Sequence, residues 1–200
     1  MDISSLSPAV FLDRDGVLNE NRSDYVKSWE EVRLLPGVFA AMTRLALTPF
    51  RTVLVTNQSP IGRGILGREQ VESINQQVVS ALEARGGRID RVYYCPHHPA
   101  AGCACRKPQP GLLKQAAREM GLDLPNSYLI GDALSDIQAA LAAGCSPILV
   151  LTGRGRQQRQ RGPDHRPARD RLGRGSSPSG TMRPVRDRNK GRASCAQDVN

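Results

Sequence analysis

No apolar run in the 200-residue sequence approaches the roughly 20 residues that a bilayer-spanning helix requires, and Met1 to Phe11 lacks the basic start and long apolar stretch of a secretory leader. The sequence therefore predicts a soluble, cytoplasmic protein. A paired set of cysteines is also missing. Five is an odd count for a secreted disulfide framework, and three of them, Cys95, Cys103 and Cys105, crowd together beside His97. That crowding points to metal binding in a reducing compartment. The chain is too short for two generous domains and long enough for one core.

The formal net charge of +9 invites a nucleic-acid reading, but it is carried by one end. From Arg154 onward there are 12 Arg and one Lys against four Asp, so residues 1–153 are neutral overall. This terminal stretch has no Phe, Tyr or Trp to stack on bases, and Asp residues interrupt its basic run. Its only large aliphatic side chains are Leu172, Met182, Val185 and Val199, too scattered to bury a helix or a strand. The division expected is a folded domain over 1–153 and a disordered, Arg-rich tail over 154–200. A solvated extension is preferred to a nucleic-acid-binding arm, and an out-of-frame readthrough of a GC-rich gene is a third possibility that resequencing of the 3′ end would decide.

Residues 1–153 alternate short β-branched runs with longer amphipathic ones, as in a parallel sheet flanked by helices. Strands are predicted at Ala9–Leu12, Thr52–Thr56, Arg91–Cys95, Ser127–Ile130 and Ile148–Leu151, and helices at Val38–Ala46, Arg68–Ala84, Gly111–Met120 and Leu134–Ala143. Polar residues gather just beyond the strands, where open α/β sheets bind ligands. A single cleft follows.

Asp13 and Asp15 leave the first strand at i and i+2, which in extended geometry places both on one side with Arg14 pointing away. Two such close carboxylates favour a shared proton or a divalent cation, leaving one carboxyl free to act as acid and then base. A strand-end turn with solvated acids is the duller alternative. Thr56-Asn57-Gln58-Ser59 ends the second strand in hydroxyl and amide groups suited to phosphoryl oxygens, Arg106-Lys107-Pro108 adds two cations, and Gly131-Asp132 with Asp136 supplies a further acid pair. Cys95, His97, Cys103 and Cys105, spaced C-x-H-x₅-C-x-C, can close a tetrahedral zinc site of structural type within one loop. Such a loop would hold Arg106 and Lys107 against the phosphate site. His98 is the weaker candidate ligand, and Cys145 and Cys195 lie outside the cluster.

In the order D-x-D-G, T-N-Q-S, R-K-P and G-D-x-x-x-D, residues 9–153 resemble the haloacid dehalogenase superfamily of phosphohydrolases. The resemblance implies a Rossmann-like three-layer sandwich with a central parallel sheet. The intervals between Asp13, Thr56 and Lys107 leave no room for a large cap domain. It further implies that Asp13 is a nucleophile forming an aspartyl phosphate, that Asp15 is the acid and base, and that Thr56 and Lys107 stabilise the transferring group. Asp13, Asp132 and the carbonyl of Asp15 would hold Mg²⁺.

With Phe11-Leu12-Asp13-Arg14-Asp15-Gly16-Val17-Leu18-Asn19 and the zinc loop, the chain is similar to the heptose-bisphosphate phosphatase branch, whose near relatives include the histidinol-phosphate phosphatases. That branch implies substrate contacts from Asn21, Arg22, Ser23 and Asp24, from Asn57, Gln58 and Ser59, and from Arg106. The substrate expected is a small sugar phosphate handled by a monomer, with no membrane and no nucleic-acid partner. A histidinol-phosphate or polynucleotide 3′-phosphatase and a nucleic-acid-binding module are the competing readings. Pro60 stands where the family usually has Gly, Ala133 stands where many relatives have Lys, and the tail replaces the branch's final strand and helix.

Overall fold

The computed structural model describes residues 6–161. Five parallel strands form one sheet: β1 (Ser7–Leu12), β2 (Arg51–Asn57), β3 (Arg91–Cys95), β4 (Leu122–Gly131) and β5 (Ser146–Leu149), in the spatial order β3-β2-β1-β4-β5. The helices are α1 (Val38–Ala46), α2 (Ser59–Gly62), α3 (Arg68–Glu83), α4 (Gly111–Met120), α5 (Leu134–Ala143) and α6 (Gly155–Arg161).

The central strands are apolar on both faces because helices cover both. Within β1, Ala9 and Phe11 join a core with Leu112, Leu113 and Ala116 of α4 and Ala139 and Ala140 of α5. Val10 and Leu12 point the opposite way, into a core with Val38 and Met42 of α1 and Ile74, Val78 and Leu82 of α3. Alternating Cβ directions along one strand thus feed two separate helical layers, and the architecture is the three-layer, Rossmann-like sandwich expected. The α1/α3 face is less completely covered toward β5. Tyr128 and Ile148, which project from that face, are 39% and 41% exposed. A cavity of about 620 Å³ runs beside them between α1 and the sheet, lined by Val10, Leu12, Leu45, Ile130 and Val150 among others.

Several boundaries differ from expectation. β4 starts at Leu122, pairing first with Ser7 and, after a register shift, placing Tyr128 opposite Val10. Ser127 Oγ accepts the Ala9 amide there, which keeps the interrupted ladder satisfied. β5 lies at Ser146–Leu149, two residues earlier than predicted, because it pairs with Tyr128–Gly131 of β4. The short helix α2 was not foreseen. Pro60 lies in its first turn, where the missing N–H has no intrahelical acceptor to lose.

The expected tail does not begin at Arg154, since Gly155–Arg161 is helical. Composition misled here because this segment is anchored by polar contacts rather than by an apolar stripe. Thr152 Oγ1 donates to the Gly16 carbonyl at 2.6 Å, and Gln158 Oε1 accepts from the Leu134 amide at 3.4 Å. The remainder of the expected tail, 162–200, lies outside the described residues. Among those residues, no helix is long and apolar enough to cross a membrane.

Candidate active site

Because the chain runs β1-β2-β3 outward on one side and then returns to place β4 on the other, the strand order reverses between β1 and β4. A crevice opens beyond the carboxyl ends of the strands at such a point. Asp13 follows β1 and Asp132 follows β4, so the topology itself puts these acids on opposite walls of the crevice.

One oxygen each of Asp13, Asp132 and Asp136 lies within 4.8 Å of the others, and all three residues are buried. Lys107, itself 2% exposed, reaches into this cluster. Its Nζ lies 3.1 Å from Asp13 Oδ2 and donates to the Val55 carbonyl at 2.9 Å. It also lies 2.6 Å from Asp136 Oδ1, an ion pair off the ideal hydrogen-bond direction. Burial would by itself drive the ammonium to lose its proton, but Asp13 and Asp136 outweigh it and raise the Lys107 pKa. The Asp13 pKa is pushed up to about 7, first by burial and then by Asp136, Asp15 and Asp132, against the opposing pull of Lys107. Three buried carboxylates against the Lys107 ammonium and the Arg154 guanidinium, which bonds Asp132, still leave negative charge in excess. Hard oxygen ligands with excess negative charge suit a divalent cation such as Mg²⁺, so the donor set fits the metal that the resemblance implies.

Asp15 is placed differently from the expectation. Its side chain is not among the converging carboxylates, and Asp136 occupies that place. Nor does Arg14 point away from it. Arg14 is 1% exposed and folds its guanidinium onto Asp15, with bonds of 3.2, 3.1 and 3.0 Å from Nε and Nη2. Nη1 donates to Asn75 Oδ1 of α3 at 2.8 Å and Nη2 to Gln58 Oε1 at 3.3 Å. Strand alternation fails here because the chain has already turned. The amides of Leu18 and Asn19 both bond the Arg14 carbonyl, and Gly16 has φ +87°. A Cβ at Gly16 would meet Asp132 Oδ2 at 2.1 Å, so only glycine allows this turn to approach β4 so closely. Burial works to raise the Asp15 pKa, yet Arg14, Asn19 and Gln58 together lower it below the ordinary carboxylate value.

Thr56 is buried, and its Oγ1 accepts from Gln58 Nε2 at 3.0 Å; the same Nε2 lies 3.1 Å from Asp15 Oδ2. Asn57 clamps the Lys107 backbone, donating to its carbonyl and accepting its amide, each at 3.1 Å. A small cavity of about 30 Å³ brings Asn21, Arg22, Asn57 and Gln58 together beside Asp15. Ser23 and Asp24 lie outside it on the exposed loop, where Asp24 pairs with Arg22 at 3.1 Å, and Ser59 is buried in the first turn of α2. Ala133, also buried, donates its amide to Asp136 Oδ2 at 3.0 Å.

The cysteine loop closes as its spacing predicts. The sulfurs of Cys95, Cys103 and Cys105 are 3.2 to 3.6 Å apart, and His97 Nδ1 is 3.5 Å from Cys95 Sγ and 3.2 Å from Cys105 Sγ. A tetrahedron with Zn–S bonds of about 2.3 Å has edges of about 3.8 Å, so a modest expansion fits zinc. These thiols and Cys145 are free. His98 instead caps the short turn Pro99–Ala101, accepting the Ala100 amide. Just beyond the loop, Arg106 Nη1 is buried with no hydrogen-bond partner among the described residues.

Three contributors escaped the sequence reading. Arg14 carried no signal, because alternation assigned it to the far side. Asn75 did carry one: it is a polar residue on the buried stripe Val71, Ile74, Val78 of α3. Arg154 was assigned to the tail, yet its amide and guanidinium bond Asp132 at 2.8 and 3.2 Å.

Comparison with known proteins agrees with this geometry. The HAD-hydrolase-like family model matches residues 104–169. The D-glycero-beta-D-manno-heptose-1,7-bisphosphate 7-phosphatase of Bordetella bronchiseptica is 44% identical over 148 residues, covering 74% of this chain and 83% of that protein. The enzyme of the same name from Escherichia coli K12 is 41% identical over 155 residues, covering 74% and 81%. Among solved structures, the D,D-heptose 1,7-bisphosphate phosphatase of B. bronchiseptica, complexed with magnesium and phosphate, matches with a TM-score of 0.75 and 42% identity, over 78% of this chain and 89% of that one.

Proposed function

We propose, from the premise that this chain belongs to the haloacid-dehalogenase-like hydrolases and is a phosphoric monoester hydrolase, that it removes the 7-phosphate of D-glycero-D-manno-heptose 1,7-bisphosphate by way of an aspartyl phosphate. The observation that carries the reading is the convergence of Asp13, Asp132 and Asp136 around Lys107 where the strand order reverses. The names of the relatives support the sugar.

In this reading a carboxylate oxygen of Asp13 attacks phosphorus, and the bond from phosphorus to the sugar oxygen breaks. The departing alkoxide takes its proton from Asp15. Asp15 is ionised while Arg14 holds it, and the negative charge of an incoming phosphate raises its proton affinity. Asp15 then takes a proton from water as the water oxygen attacks phosphorus, which releases inorganic phosphate and regenerates Asp13. Lys107 and Thr56 stabilise the equatorial oxygens. Asp13, Asp132 and the Asp15 backbone carbonyl would hold Mg²⁺, which when bound supplies positive charge to the phosphoryl oxygens. Asn21, Arg22, Asn57 and Gln58 face the small cavity, and the unpartnered Arg106 Nη1 suits an anionic or hydroxylated substrate. Zinc in the cysteine loop would be structural and would keep Arg106 and Lys107 at the crevice.

The test is phosphate release from heptose bisphosphate, histidinol phosphate and a 3′-phosphorylated oligonucleotide compared side by side. Preferential release from the first is expected, with Asp13→Asn lowering it about a thousandfold or more. Faster turnover of either other substrate overturns the assignment of the sugar, and full activity in Asp13→Asn overturns the mechanism.

A further inference from the structure

Arg154 has no place in the chemistry above, yet it makes the one charged side-chain contact recorded for Asp132 among the described residues. Asp132 is fully buried. Its Oδ2 accepts from the Arg154 amide at 2.8 Å, from Arg154 Nε at 3.4 Å and from Asn21 Nδ2 at 3.3 Å, whereas among the described residues Oδ1 receives only Arg154 Nη2 at 3.2 Å. A buried carboxylate requires a counter-charge, and this one draws it from a residue beyond the sheet.

The backbone and the side chain of Arg154 are held very differently. Thr152 Oγ1 ties the segment to the Gly16 carbonyl, and a Cβ on Gly153 would meet Asp132 Oδ2 at 2.4 Å and Gly16 Cα at 2.6 Å. The main chain is thus packed directly onto the crevice wall. The Arg154 side chain, by contrast, is 51% exposed. Its guanidinium therefore already borders water, while its amide is held on Asp132 by the packed main chain.

We propose that Arg154 is a resident counter-ion of Asp132 that competes with the divalent cation: its guanidinium neutralises the carboxylate in the metal-free protein and leaves Oδ1 when the metal arrives. This rests on the reading that Asp132 is a metal ligand. Metal affinity is then set partly by a residue that touches neither phosphate nor metal. The strength of the contact determines how much Mg²⁺ is needed to fill the site. Because the cation leaves as the metal enters, the crevice never holds its acids without a partner.

The experiment is isothermal titration of the full chain with Mg²⁺, for the wild type, Arg154→Ala, Arg154→Gln and Arg156→Ala. Arg156 is exposed on α6 and controls for the loss of one positive charge without loss of the contact. Removing Arg154 is expected to tighten Mg²⁺ binding roughly two- to fivefold, the factor that a half-exposed ion pair is worth, with a smaller change in Arg156→Ala. In the wild type, the ¹⁵N-edited Arg154 Nε–H signal should move to a solvent-exposed position as Mg²⁺ saturates. Equal effects at positions 154 and 156, weaker binding in both Arg154 variants, or an Nε–H signal that Mg²⁺ leaves unmoved would each overturn the proposal. Asp132→Asn separates the two ideas. If it abolishes Mg²⁺ uptake while the Arg154 variants change nothing, the metal site stands and the counter-ion falls; if the wild type takes up no Mg²⁺, both fall.

Discussion

The two sides of the crevice solve the problem of buried charge in opposite ways. Around Lys107, Asp13 and Asp136 share one ammonium beside Asp132, whose counter-charge is the half-exposed Arg154, and the Asp13 pKa is driven up to about 7 by burial and the neighbouring acids. Around Arg14, one carboxylate receives a whole guanidinium together with amides from Asn19 and Gln58, and the Asp15 pKa is driven down. These acids are two residues apart in the chain. Their difference shows that local spacing brings acids to a site, while the elements packed around them decide which one is left wanting a cation. One side is built to receive added positive charge and the other is complete without it.

The largest effect that sharpens this contrast is expected from Lys107→Met. It strands Asp13 and Asp136 in the interior, and breaking a buried pair costs about 3–5 kcal/mol. Urea unfolding in Mg²⁺-free buffer should show this loss, and saturating Mg²⁺ should return much of it. Arg14→Met strands the partly exposed Asp15 and leaves Asn75 Oδ1 unbonded, so about 2 kcal/mol is expected. Here Mg²⁺ should restore little. Equal rescue of both variants would erase the distinction between the two sides.

The cysteine loop tests the same contrast from outside the crevice. Cys105→Ser should abolish stoichiometric zinc measured by atomic absorption and lower the melting temperature. It should also cut phosphate release severalfold, because Lys107 follows the loop by only two residues and is otherwise held by Asn57. Unchanged zinc content or unchanged activity would separate the loop from the acid-rich side.

Much of this organisation is legible in the sequence because it rests on short-range signals. The runs Ala9-Val10-Phe11-Leu12 and Val53-Leu54-Val55 are apolar on both faces, which marks central parallel strands, and the polar groups that follow them, Asp13 and Asp15 after the first and Thr56 and Asn57 after the second, must lie at the strand tips. The cluster of Cys95, His97, Cys103 and Cys105 is legible because the four lie close together in sequence, at the end of β3 and in the loop that follows it. What stayed hidden depends on long-range polar contact. Arg14 is secured by Asn75, 61 residues away, and Arg154 by Asp132, 22 residues away. A side chain whose surroundings are polar has no periodicity to announce its burial. The same reason explains why α6, rich in Arg and Gln, read as unfolded.

The smallest expected effect lies in the pH dependence, where the two acids should pull in opposite directions. Asp13 has a folded pKa of about 7 against an ordinary 3.8, so between those values the folded chain binds more protons than the unfolded one. Its contribution therefore declines as pH rises from about 4 to about 7 in protein free of Mg²⁺. Asp15 has a lowered folded pKa, so its contribution is present above 3.8 and is lost as pH falls below that value. Melting temperatures measured without Mg²⁺ should accordingly decline from pH 5 to pH 7, and Asp13→Asn should flatten that decline. Arg14→Met should leave that decline in place and weaken the loss on the acid side instead. Mg²⁺ should abolish the first slope, because a metal that binds ionised Asp13 reverses its preference for the proton. A decline from pH 5 to pH 7 that survives both saturating Mg²⁺ and Asp13→Asn would mean that the excess negative charge of the crevice lies on some other group.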